Sequence, residues 1–369
     1  MDSNCNTAKS RSKMRGIGRP IGRGTKRKVV GAVDADGVSS KKPKSDLVMP
    51  KLPANGYPTE HPFNKDGFQY ILAEPDPHAP FRQEFDESQD WAGKPIPGWL
   101  YRKLSPTSVL VAMHDRAPQL RVSEERLSVT GEKGYCMARA THGVHYGSWY
   151  YEVNIVDMPE GSATRIGWSQ ELGNLQGPCG YDKFSYSWRS RKGTRFHQSK
   201  GYHYADSGYG TGDTVGCLIN LSADEKNPKS ANNPNYLPST HKDRPLIKFK
   251  NYLYFEEKDD VQKAIKQLQE LEGSSMVFYK NGKNIGVAFE NLISGVYYPA
   301  VSFYKSVTVT FNFGPNFKYP PQDALFRGVY ELAEDAAVRQ TLSDLVYFTE
   351  NEGKLRLDTF YYGTSGNPM

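Results

Sequence analysis

The chain has 369 residues, of which 37% are hydrophobic and 24% charged, and carries a net charge of +6. The hydrophobic share is low for a wholly packed chain, so part of the sequence is expected to lie outside any core. The four cysteines (Cys5, Cys136, Cys179, Cys217) form no CxxC and no zinc-like Cys/His spacing, and no apolar run reaches membrane-spanning length, which argues against a disulfide scaffold, a zinc module or a membrane protein.

The N-terminal stretch MDSNCNTAKSRSKMRG lacks the apolar core of a signal peptide, so an intracellular protein is expected. Residues 1–50 hold twelve Lys or Arg against four Asp, a net +8, which leaves −2 of the total +6 for everything after them. This segment reads as a disordered basic tail, and a basic tail implies an anionic partner such as nucleic acid. Residues 51–100, rich in Pro, Gly and aromatics, cannot form a long helix. They are expected to run extended along the body as a linker, anchored by Phe63, Phe68, Tyr70 and Trp91.

Within 101–320 short apolar runs recur between turn signals: SVLVAMH, GSWYYEVNIV, TRIGWSQ, TVGCLINL, MVFYKNG and VTVTFNFG among them. No alternation with helices is present, so a parallel α/β sheet is disfavoured and a mainly β, antiparallel sandwich is expected. Lys280-Asn281-Gly282-Lys283 is a hairpin signal. Two interruptions stand out. Residues 222–245 are polar and Pro/Asn-rich, the composition of a surface loop. Residues 256–272 place Val261, Ala264, Ile265, Leu268 and Leu271 at helical spacing, which predicts a small inserted helix stopped by Gly273. Beyond Pro320-Pro321, residues 321–353 place Val338, Leu342, Leu345 and Val346 at i, i+4, i+7 and i+8, an amphipathic helix. Its stripe must pack either on its own domain or on a helical partner. Residues 354–369 read as a flexible tail.

The stretch PCGYDKFSYSWRSRKGTRFH, residues 178–197, sets five Lys or Arg beside five aromatics. Phe184, Tyr186 and Trp188 alternate with Ser185 and Ser187, the period of a strand with one buried face, and Phe184 and Trp188 are expected in the core. Three explanations of the cations compete: a catalytic site, a nucleic-acid surface, or a socket for an acidic peptide. GxSxG, P-loop and HExxH patterns are all missing, and His142 and His145 read as surface or turn histidines, so catalysis is disfavoured.

The runs HGVHYGSWYYEV, RIGWSQ, YSWRS, GDTVGCLINL, MVFYKNGKNIGVAFEN, YYPAVSFY and VTVTFNFGP resemble, in order, the SPRY domain, a bent antiparallel β-sandwich used for binding. HPFNKDGFQYILAEPDPHAP, WAGKPIPG, HDRAPQL, LGNLQGPCGYDKFSYSWRSRKGTRFHQS and LIKFKNYLYFEEKD further resemble the Ash-two family of the trithorax group, over about residues 52–350. The resemblance implies a nuclear, non-catalytic core subunit, without a cofactor or metal, of the MLL- and Set-one-type complexes whose SET-domain enzyme methylates lysine four of histone H3. It implies that the sandwich takes an acidic segment of retinoblastoma-binding protein five, through Tyr135, Arg165, Pro178, Tyr181, Arg189 and Arg191 (where a lysine is common in the family). It implies that the C-terminal helix docks on the Dpy-thirty dimer through Val338, Leu342, Leu345, Val346 and Thr349, the last standing where an aliphatic residue is usual. Such pairing would stabilise the active form of the SET enzyme. The chemistry is apt, because each arginine presents a planar fork of donors that grips a carboxylate in bidentate fashion.

In the tail, Arg15-Gly16-Ile17-Gly18-Arg19-Pro20 with Arg23 and Lys26-Arg27-Lys28 resembles an AT-hook, whose extended arginine enters the minor groove. Arg19, Arg23, Lys26, Arg27 and Lys28 are therefore candidate DNA or nucleosome contacts. Lys26–Lys28 and Lys41-Lys42-Pro43-Lys44 also fit nuclear-import signals. Longer family members carry zinc-binding and winged-helix modules ahead of this region, and neither pattern occurs here, so DNA contact is expected from the tail. A nucleic-acid-binding protein that uses the basic sandwich face directly is the competing class.

Overall fold

A computed structural model describes residues 28–29, 52, 56–64, 67–76, 79, 98–104, 106–227, 230–235 and 245–350. Arg19, Arg23, Lys26, Arg27 and Trp91 lie outside the described residues, as do the expected C-terminal tail and residues 236–244 of the Pro/Asn-rich loop.

The strands follow the β-branched and aromatic runs. Ahead of the sandwich come β1 (Lys28–Val29), β2 (Phe68–Pro75) and β3 (Tyr101–Lys103). The sandwich opens with β4 (Val111–Arg116), β5 (Arg121–Val122), β6 (Ser128–Gly131) and β7 (Tyr135–Ala140). It continues through β8 (Gly147–Asp157), β9 (Ala163–Ser169), β10 (Ser185–Arg189), β11 (Thr194–His197), β12 (Lys200–His203) and β13 (Thr214–Leu221). After β14 (Leu246–Phe249), β15 (Tyr252–Lys258) and helix α1 (Val261–Lys266) come β16 (Ser275–Lys280), β17 (Lys283–Glu290), β18 (Tyr298–Tyr304) and β19 (Val307–Asn312). A short β20 (Arg327–Gly328) and the helix α2 (Leu332–Glu350) close the described part.

Two antiparallel sheets face each other. One has the order β12-β11-β10-β9-β18-β7-β4, and the other β17-β16-β13-β8-β19-β6-β5, with β20 parallel to β8. Trp149, Tyr151, Ile166, Trp168, Trp188, Phe278 and Phe311 fill the space between them. Each such side chain contributes about 1.5–3 kcal/mol by leaving water. Lys280 pairs with Lys283, and Asn281 (φ 50°) with Gly282 (φ 82°) makes the tight turn that the Asn-Gly pair predicts.

In the fold, the structure departs from the sequence reading in the N-terminal segment, the inserted helix and the loop after β13. The 51–100 segment is more than a linker: its β2 is a strand in a third sheet, β1-β14-β15-β2-β3, with Tyr70, Leu72 and Tyr254 packed on one side and Tyr101, Leu253 and Phe255 on the other. The inserted helix is shorter than 256–272. Glu256 and Glu257 belong to β15, paired with Tyr70 and Gln69, and α1 starts at the Asp260 cap. Leu271, assigned to the helix stripe, instead joins the sandwich core. The loop after β13 is pinned by buried Asn232, which donates to the carbonyls of His145 and Gly295 and accepts from Ser294. Among the described residues no helix is long and apolar enough to cross a membrane.

Candidate functional site

Strand pairing builds the basic cluster. Arg189 on β10 lies directly opposite Arg165 on β9. Ile166 and Trp188 point into the sandwich, so the alternation sends both arginines to the outer face of the sheet. Phe196 on β11 pairs with Ser187 and shares that face. Its ring lies under both guanidiniums, 3.8 Å from Arg165 Cζ and 4.9 Å from Arg189 Cζ. A cation over an aromatic face is held without losing its charge.

The outer face is not open over its whole length. The segment 170–184 folds back across it, and here the one-faced strand reading fails. Ser185 and Ser187 are buried too, because their hydroxyls anchor this segment. Gly180 N–H donates to Ser185 Oγ, Ser187 Oγ donates to the Cys179 carbonyl, and Cys179 N–H donates to Ser302 Oγ. Gly180 needs φ +83°, and a Cβ there would sit 2.5 Å from the Phe196 carbonyl, so only glycine fits. Phe184 is buried as expected, but it precedes the strand and lines the cavity beneath this segment rather than the sandwich interior. The base of the segment is held by Arg139, which is 2% exposed. It pairs with Asp115 at 2.6 and 2.7 Å and donates to the carbonyls of Gln170, Glu171 and Gly173.

Arg165 donates to the Cys179 carbonyl at 3.2 Å, next to Pro178. Among the described residues no carboxylate lies within 4.0 Å of Arg165, Arg189 or Arg191. Burial holds the Arg165 pKa below its ordinary value, and repulsion from Arg189 pushes the same way. Tyr135, half exposed, stacks on Tyr304 with ring centres 4.9 Å apart, two residues along β18 from the Ser302–Arg165 pair and so on the same face. Tyr181, also half exposed, stands at the end of the folded-back segment. Arg191 is the outlier: it sits in the turn after β10 and its Nε donates to the Ser162 carbonyl. The sequence reading thus gathers Tyr135, Arg165, Pro178 and Arg189 on one face, with Tyr181 at the rim. It missed Phe196, Tyr304 and Arg139. Phe196 was legible in principle, since in TRFH it alternates out of phase with Arg195.

The C-terminal helix presents a second candidate surface. Its first turn is buried through Leu332 and Ala333, whereas Val338 (59% exposed), Leu342 (46%), Leu345 (37%) and Val346 (46%) are open to water. Thr349 Oγ1 turns back to the Leu345 carbonyl. Arg327 clamps the helix start through Glu331 and Asp335.

Among the described residues no group of His, Cys, Asp or Glu could hold a metal. Cys136, Cys179 and Cys217 are buried free thiols, and burial pushes the first two up to about 11 and about 12. His142 is no surface residue: it is 7% exposed, and burial lowers its pKa to about 4.

The SPRY domain profile matches residues 148–225 and 251–316. The Drosophila melanogaster Set1/Ash2 histone methyltransferase complex subunit ASH2 is 58% identical over 336 residues, 90% of this chain and 59% of that protein. The Caenorhabditis elegans Set1/Ash2 histone methyltransferase complex subunit ash-2 is 44% identical over 82% of this chain and 52% of its own length. The Set1 complex component ash2 of Schizosaccharomyces pombe is 32% identical over 71% of this chain and 42% of its own length. The chain therefore spans about half the length of the curated relatives it matches. Over that span it carries a SPRY domain and is a homologue of the Ash2-type subunits of Set1/Ash2 histone methyltransferase complexes.

Proposed function

We propose that this protein is a nuclear, non-catalytic subunit of a histone H3 lysine-four methyltransferase complex, in which it joins three partners and thereby stimulates the SET-domain enzyme. The outer face of the seven-stranded sheet takes an acidic segment of retinoblastoma-binding protein five. The exposed stripe of α2 takes the Dpy-thirty dimer. The basic tail contacts DNA or the nucleosome. One observation supports the reading most: Arg165 and Arg189 are pre-oriented on one aromatic ring, with no carboxylate among the described residues within 4.0 Å. A carboxylate arriving from outside completes bidentate pairs without first breaking internal ones.

Arg165→Ala or Arg189→Ala is expected to weaken a synthetic Glu/Asp-rich peptide from retinoblastoma-binding protein five by about tenfold or more, since each charge-assisted bond contributes about 1.5–3 kcal/mol. Nucleosome affinity should stay unchanged. Loss of DNA binding with the peptide untouched would transfer the site to a nucleic-acid reader. Removing residues 1–50 should lower DNA affinity and flatten its salt dependence. An unaltered slope would remove the tail from the reading.

A further inference from the structure

The two facing sheets end together on one side. β12 is the last strand of the seven-stranded sheet and β17 the last of the other, so two strand edges flank a groove of about 710 Å³. Arg195, Lys200, Tyr202, Phe289 and Glu290 line it. Arg195 faces this groove because β11 sends Phe196 the opposite way, toward Arg165 and Arg189. Its guanidinium lies 5.3 Å from the Phe289 ring and 5.9 Å from the Tyr202 ring, and its buried Nε has no acceptor among the described residues. No carboxylate among the described residues lies within 4.0 Å of Arg195 or Lys200, although Glu290 stands on the groove wall. His197 does not compete for an anion: its Nδ1 is bonded to the Ser185 carbonyl, its Nε2 to Gln198, and its ring lies flat on Tyr186 at 3.9 Å.

We propose that this open edge is a second site for the same acidic partner, where an extended segment adds as a strand to β12 and sets carboxylates against Arg195 and Lys200. The inference rests on the acidic-peptide reading of the first site and extends it. An unpaired edge offers backbone donors and acceptors at strand spacing, which an extended peptide matches. All four residues of β12 are exposed, and Gly201 places no side chain beside the Phe196 ring, so the way from one site to the other is unobstructed. Arg165 lies three strands from β12, about 14 Å, so at least about four extended residues must separate the two acidic clusters. A peptide is favoured over a nucleic acid because the groove offers two cations and one opposing carboxylate. A phosphodiester chain, charged at every unit, would need a longer basic track and would meet Glu290.

The test uses the full chain and two synthetic peptides, one with a single Glu/Asp cluster and one with a second Glu-Ser-Glu cluster after a Gly/Ser spacer of about six residues. The longer peptide should bind at least about tenfold tighter, as a tethered second contact does. Lys200→Glu, a change at an exposed position, and Arg195→Gln should each remove that gain and leave the short peptide unchanged. N-methylation of the second cluster's backbone should remove it too. Equal affinity of the two peptides, a gain that survives Lys200→Glu, or indifference to N-methylation overturns the proposal. So does an oligo-uridine that binds in a Lys200-dependent way while the peptides show no gain. Failure of the first site is read separately, as a short peptide insensitive to Arg165→Ala. Lys200-dependent binding of the longer peptide would then uphold the groove alone.

Discussion

Arg139 and Arg165 lie on neighbouring parts of one sheet and show how environment divides one side chain between two tasks. Arg139 is fully buried and spends its donors on Asp115, Ser169 and three carbonyls. Arg165 is half-buried, rests on Phe196, and makes one bond to a carbonyl. Only the second retains a charge for a partner. Arg139→Met would leave Asp115 buried beside no cation, a loss of about 3–5 kcal/mol for a broken buried pair. The same change frees the base of segment 170–184, so acidic-peptide binding should fall although Arg139 itself is buried. Thermal denaturation and peptide titration measured together check this. A variant with an unaltered midpoint and unaltered affinity would show that the pair neither stabilises the fold nor positions the segment. Arg165→Ala is expected to show the opposite split, with affinity lost and the midpoint nearly kept.

The helix α2 is anchored at its start and bare along its middle. Leu332 and Ala333 hold the first turn in the core, and Arg327 ties Glu331 and Asp335, yet Val338, Leu342, Leu345 and Val346 stay exposed. Packing of that stripe on its own domain, one of the two readings open from sequence, is not what the described residues show. Leu342→Glu should therefore leave the melting midpoint nearly unchanged while ending co-purification with Dpy-thirty. Intact co-purification sinks the docking assignment, and a large fall in midpoint would mean that the stripe is buried in solution. This helix was legible because its period runs over two and a half turns. The inserted helix was overread for a physical reason. The acids at 256–257 suit a helix start as well as a strand, and only pairing with β2, nearly two hundred residues earlier in the chain, decides for β15. The same non-local pairing hid β2 inside an apparent linker. Of the candidate site, the residue types were visible in sequence, and Arg191 shows what was not. A spacing of two from Arg189 suggests a shared face, but the strand ends at Arg189, and Arg191 in the turn offers its carbonyl to Arg189 Nε while its own Nε donates to the Ser162 carbonyl.

Across the described residues charge is sorted by location: cations collect on the outer sheet face, while three of the histidines are withdrawn into the body. His114, His142 and His145 line one cavity of about 430 Å³ between the N-terminal strands and α2. Burial lowers each to about 4, with Arg339 adding to the effect at His145. Between pH 6.5 and about 4 the unfolded chain thus binds more protons at these sites than the folded chain, so stability rises with pH through that window and is lost on acidification. Asp115 acts in the same direction at lower pH. Burial alone would raise its pKa, but the Arg139 charge and hydrogen bonds leave it below the usual carboxylate value, so its contribution is complete above about pH 4 and fades below. Asp259 opposes them: burial raises it to about 6, and its protonation favours the folded state as pH falls. Three histidines against one carboxyl leave a net loss. Urea denaturation followed across pH should show maximal stability above pH 7 and a steady decline toward pH 4.5, and His142→Gln should make that decline shallower. A flat profile over this range would mean that the three imidazoles are solvated or paired in solution, and that the cavity beneath α2 admits protons without opening.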